Sequence, residues 1–144
     1  MLRCSKRVEV EKLCIEEHIR APIAEVFRAM TVPRIVDDWG GGPARIQDRT
    51  NGRYSLWDGE MSGVIREIEF PRRLVYTLRE LSWDADCPDS LVSWELTETD
   101  RGTRLELVHS GLPTRRIREA HREGWGDYYL GPLKAYLEKR KTSK

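Results

Sequence analysis

TRRIREAHREGWGDYYLGPLKAYLEKR, residues 114–140, decides the fold. Ile117, His121, Trp125, Tyr129 and Leu133 recur every fourth residue, and Tyr136-Leu137 closes the stripe. That spacing stacks side chains on one face of a helix, with charged residues elsewhere, so the stretch reads as a long amphipathic helix. Its interior is weakened, because Gly124, Gly126 and Gly131 each cost on the order of 1 kcal/mol against alanine and Pro132 costs more. A kink or loosening is expected near Gly131-Pro132. Missing side chains on such a helix leave room for a ligand or allow close packing against bulky Trp94 and Tyr76, and both readings stay open.

Working outward, the chain before this helix reads as strands with two short helices near its start. Residues 8–19 place Leu13, Ile15 and Ile19 on one parity, as a half-buried strand does. Ala21-Pro22 opens a helix with Ile23, Val26, Phe27 and Met30 on one face. Residues 33–38 form a second helix, ended by Gly40-Gly41-Gly42-Pro43, a run suited to hinge a pocket mouth. A meander follows: 53–57, the two-residue loop Asp58-Gly59, 61–69, 73–80, a polar loop, then 91–98 and 103–109 across the turn at 99–102. The fold class is α+β: a curved antiparallel sheet of about six or seven strands wrapped around a long C-terminal helix, with two short helices after the first strand.

Composition narrows the function classes. With 144 residues one domain spanning 1–144 is expected, its ends at 1–7 and 139–144 flexible. Lys+Arg number 25 and Asp+Glu 24, a net charge of +1, which offers no field to gather nucleic acid or anionic lipid. The first residues lack a secretory apolar core and no run approaches membrane-spanning length, so a cytoplasmic location is expected. Cys4, Cys14 and Cys87 are odd in number and widely spaced, and free thiols are expected.

Parity places Val92, Trp94 and Leu96 on one strand face, Leu105, Leu107 and His109 on the next, and Leu74, Tyr76 and Leu78 on a third. Covered by the helix, these faces line a pocket, and the residues expected to touch a ligand are Trp39, Tyr54, Tyr76, Leu78, Trp94, Leu107, His109, His121, Trp125 and Tyr129. His109 points inward and titrates near neutral pH, which suits a general acid or base, but a hydrogen-bonded core histidine is the commoner outcome. His121 can meet it across the pocket as half a metal site, with no clear third ligand. Ser110 lacks the GxSxG elbow; Asp37-Asp38 and Glu67 with Glu69 read as solvated faces, and the glycine run lacks the phosphate-binding spacing. Arg115, Arg116, Arg118 and Arg122 read as a solvated face too. No catalytic residue, metal or cofactor is assigned.

Several short motifs in order carry a resemblance. They are Ala21-Pro22, Val26 to Thr31, Asp38-Trp39-Gly40, Gly52-Arg53-Tyr54, Pro71 to Thr77, Val92 to Glu98, Gly102 to Leu105, His109 to Leu112 and Gly124-Trp125. Together, over residues 13 to about 138, they resemble the homologues of the heat-shock-protein-90 ATPase activator. The resemblance implies the helix-grip fold of START-like lipid carriers and polyketide cyclases. It departs at Asp37-Asp38-Trp39, where a tandem tryptophan often stands, which puts a polar group near the expected pocket mouth, and at Phe70-Pro71, where two prolines often stand. What it implies is a domain that binds an apolar or amphipathic small molecule. The alternatives are a stress-response co-chaperone with a heat-shock-protein-90 homologue as partner, and a cyclase-like enzyme in which His109 or a tyrosine moves protons.

Overall fold

A computed structural model describes residues 11–142. The elements run β1 (Glu11–Ile19), α1 (Ile23–Thr31), α2 (Pro33–Trp39), β2 (Arg45–Ile46), β3 (Arg53–Leu56), β4 (Met61–Glu69), β5 (Arg73–Glu80), β6 (Ser90–Thr99), β7 (Gly102–Leu112), α3 (Arg115–Gly124) and α4 (Gly131–Thr142). One antiparallel sheet of seven strands has the order β1-β7-β6-β5-β4-β3-β2, so sequence neighbours pair throughout except where β1 closes on β7. The expected helix-grip architecture is present, with the C-terminal helix lying against the inner face of the sheet.

Register explains why that face is apolar. Leu74 opposes Trp94, Trp94 opposes Leu107, and Ile15 opposes Leu107 from the far side, while Tyr76, Val92, His109 and Leu13 form the next row. Directly paired residues share a face, so the parity read from each strand becomes one continuous surface across four strands. That surface and the helix close a hydrophobic core that holds Trp94, Leu105, Leu107, Leu133 and Leu137 in full burial. Lys134 Nζ meets Glu17 Oε2 at 2.9 Å, and the Arg20 N–H donates to Glu138 Oε2 at 2.9 Å, fixing α4 beside β1.

The long helix starts at Thr114, whose side chain accepts the Ile117 N–H, and it runs without a break to Thr142. The helix reaches Thr142, and residues 1–7 lie outside the described residues. The loosening expected at Gly131-Pro132 is found one turn earlier, as a π-helical segment over Trp125–Leu130. Proline has no N–H and its ring crowds the carbonyl four residues back; widening the preceding turn absorbs both demands. Gly131 N–H accordingly bonds Gly126 O, five residues back.

Two local expectations are corrected. The β3–β4 connection is longer than Asp58-Gly59: Leu56 pairs with Met61, and Trp57 and Asp58 both take left-handed backbone angles, φ 49° and 55°. Cys87 is buried and disulfide-bonded, and among the described residues Cys14 is an exposed free thiol; Cys4 lies outside them. Separation along the chain says little about which cysteines fold together.

Candidate functional site

The inner face and the helix meet through aromatic rings. Trp94 stacks on Tyr129 at 5.3 Å between centroids and meets Trp125 edge-on at 5.5 Å; Trp39 packs edge-on against Tyr129 at 4.8 Å, and Tyr54 lies 4.6 Å from Tyr76. Their polar ends are satisfied internally. Trp94 Nε1–H donates to Tyr76 Oη at 3.0 Å, Tyr54 O–H to Thr77 O at 2.7 Å and Trp39 Nε1–H to Ala29 O at 2.8 Å. Burial pushes the phenols of Tyr54, Tyr76 and Tyr129 well above their usual range, so they stay neutral. The space left among Tyr54, Tyr76, Tyr129 and their neighbours is about 20 Å³, enough for one water but not a ligand.

His109 belongs to this interior. It is fully buried, its Nδ1 accepts the Trp125 Nε1–H at 3.0 Å, and its Nε2 lies 2.8 Å from Ser90 Oγ. An indole nitrogen only donates, so Nδ1 is the acceptor and Nε2 carries the proton. Ser90 then receives from Nε2 and donates onward to Leu78 O at 2.8 Å. This Ser–His pair has the opposite polarity from a nucleophile and its base, because the lone pair that would draw the serine proton is absent from Nε2. Burial, with the nearby His121 second, lowers the His109 pKa to about 3. The geometry gives it the role of a neutral core histidine.

A second, larger space lies on the other side of Trp125. It is a cavity of about 520 Å³, lined by Trp57, Glu60, Met61, Glu80, Ala120, His121, Gly124, Trp125 and Tyr128. Its volume falls within the range of small-molecule sites. Trp57 forms one wall, turned there by its left-handed backbone and held by two bonds to the glycine run: its N–H donates to Gly41 O at 2.8 Å and its Nε1–H to Gly40 O at 2.9 Å. A side-chain carbon placed on Gly124 would meet nothing within 4 Å, so this glycine leaves open space. His121 is 7% exposed, and its Nε2 stands 2.5 Å from Glu80 Oε2 without an aligned hydrogen bond.

Of the ten expected ligand contacts, His121 and Trp125 line this cavity. Tyr54, Tyr76 and Tyr129 border the small internal void, while Trp39, Leu78, Trp94, Leu107 and His109 are buried on neither wall. Asp37 and Asp38 do not reach the cavity, since Asp37 Oδ1 accepts the Ala44 N–H and Asp38 Oδ2 faces Tyr136 Oη. Sequence reasoning missed Glu80, Ala120 and Tyr128, although each had a signal, whereas Gly124 was among the helix glycines read as leaving room. Glu80 continues the inward parity of Leu74, Tyr76 and Leu78, so a charge falls where an apolar residue is due. Ala120, Gly124 and Tyr128 form a second four-residue row beside the main stripe, two of its three members small.

The family model described as activator of Hsp90 ATPase homolog 1-like protein matches residues 20–138. The chain belongs to this family. A human relative, activator of 90 kDa heat shock protein ATPase homolog 1, is 25% identical over 126 residues, covering 85% of this chain and 36% of its own. The chain spans about a third of the length of the curated relatives it matches. Among solved structures, CalU16 from Micromonospora echinospora is 29% identical with a TM-score of 0.77, covering 94% of this chain and 79% of that one. An HSP90 activator from Plasmodium falciparum shares the fold, with a TM-score of 0.78 at 24% identity over 88% of this chain and 95% of the other. Among the described residues of this family member, no helix is long and apolar enough to cross a membrane.

Proposed function

We propose that the chain binds an apolar or amphipathic small molecule, without catalysis, in the cavity between α3 and the β3–β4 and β5 ends. The observation that carries this reading is the open space in front of Gly124, walled by Trp57, Met61, Trp125 and Tyr128. Of the ten residues expected from the sequence, His121 and Trp125 enter it as contacts, and Trp94, His109 and Tyr129 pack against Trp125 behind them. A thermal-shift screen of lipids and aromatic metabolites tests it, run on the wild type and on Gly124→Leu in parallel. A ligand at 100 times its Kd adds about 2.7 kcal/mol to the stability of the folded state. Ligands that raise Tm in the wild type and not in Gly124→Leu support the reading; no response, or equal responses in both proteins, refutes it.

Co-chaperone action is the second reading, favoured by the match to the human activator over 85% of the chain. Its test is binding to, and ATPase stimulation of, a heat-shock-protein-90 homologue from the same organism. Absence of both removes it.

A further inference from the structure

Resting on the cavity reading above, we propose that the ligand carries a basic amine on its apolar body. Among the described residues, the cavity wall contains two carboxylates, Glu60 and Glu80, and neither lysine nor arginine. Backbone pairing brings the acids together, since the Leu81 N–H donates to Glu60 O at 2.8 Å and Glu80 opposes Met61 in the β4–β5 ladder. Nearby cations are turned elsewhere: Arg79 bonds Cys87 O and pairs with Asp89, and Arg118 and Arg122 pair with Glu119. The field inside the cavity is therefore negative, and an anionic ligand is repelled.

A third polar group, His121, lies beside these acids. His121 Nε2 is buried in the wall with no aligned hydrogen-bond partner, beside the Glu80 carboxylate. An alkylammonium has three donors and no acceptor, so one such head group can be satisfied by the Glu80 and Glu60 carboxylates together. The Trp57, Trp125 and Tyr128 rings around these acceptors attract a cation through their faces and cover its apolar body. A neutral alcohol satisfies the same acceptors with one donor only, and a carboxylate satisfies none.

Three probes sharing one aromatic body separate these cases: 1-naphthylmethylamine, 1-naphthylmethanol and 1-naphthoate, titrated calorimetrically at neutral pH. The amine is expected to bind at least about ten-fold more tightly than the alcohol, with the carboxylate weakest. Glu80→Gln and Glu60→Gln each reduce the ratio of amine to alcohol affinity, and Gly124→Leu abolishes binding of both. Equal affinity for amine and alcohol, lost in Gly124→Leu, overturns the amine assignment and leaves the cavity reading standing. Amine binding that survives Gly124→Leu places it on surface acids and overturns the assignment too. Failure of all three probes at millimolar concentration overturns the assignment and, if the thermal-shift screen is also silent, the cavity reading with it.

Discussion

Two glycines of the C-terminal helix should respond to alanine with opposite sign. Gly124 has ordinary helical angles, φ −63° and ψ −41°, and an added side-chain carbon there meets nothing within 4 Å. Nothing opposes the intrinsic preference, so Gly124→Ala should stabilise the fold by about 1 kcal/mol and raise Tm by roughly 3 °C for a chain of this size. Gly131 is also helical, φ −59° and ψ −55°, but the same carbon would lie 2.7 Å from Gly126 O, the carbonyl that accepts Gly131's own N–H in the π turn. Relieving that clash means opening the π bond or shifting the backbone, an overpacking cost of about 1–3 kcal/mol that cancels or exceeds the preference. Gly131→Ala is therefore neutral to destabilising by about 2 kcal/mol. Urea unfolding of the two variants, compared by midpoint at a common slope, decides the matter. Equal stabilisation by both alanines would show that no π turn stands before Pro132. A loss at Gly124 would show that the space in front of it is filled.

Three other perturbations follow from the same geometry. Folded His109 takes up a proton only near pH 3, while in the unfolded chain it does so near 6.5, so its contribution is intact above pH 6.5 and is lost progressively below it; by pH 5 the loss is about 2 kcal/mol. In His109→Gln, urea unfolding at pH 7 and pH 5 should show the difference between the two pH values shrink by that amount, and an unchanged difference refutes the neutral core role. Tyr76→Phe strips the acceptor from the buried Trp94 N–H and should cost about 1–3 kcal/mol in chemical denaturation. Thr114→Ala removes the cap on the Ile117 N–H and should cost about 1 kcal/mol by the same assay.

The parts of the fold visible in the sequence are those with a short period. Alternation in β5, β6 and β7 and the four-residue stripe from Ile117 to Leu133 each depend on residues a few positions apart, so the inner face and the helix that covers it could be read directly. The location of the cavity is not of that kind. It depends on whether Trp94, Trp125, Tyr129 and Tyr76 fill the concavity when their volumes meet, and they nearly do, leaving about 20 Å³ beside Tyr54. The open space instead lies beyond Trp125, where β5 ends and a four-residue connection, unlike the expected two-residue turn, brings in Trp57. The Ser90–His109–Trp125 chain spans residues on β6, β7 and the helix and has no local pattern at all.

Volume alone is a weak reason to assign a site, and the stronger one is that three local costs converge on this cavity. Gly124 forgoes about 1 kcal/mol of helix preference although a larger residue would fit. Trp57, a bulky side chain, holds a left-handed conformation that costs about 1–2 kcal/mol, fixed by two bonds to Gly40 and Gly41. His121 Nε2 is buried beside a carboxylate without an aligned bond. In a chain whose Trp39, Trp94 and Trp125 indoles and whose His109 are hydrogen-bonded, each of these has an easy local remedy: alanine at 124, glycine at 57, an apolar residue at 121. The remedies share one consequence, since the first narrows the cavity, the second removes its wall and the third removes its buried polar group. On the proposal that the cavity holds a ligand, all three features serve one end.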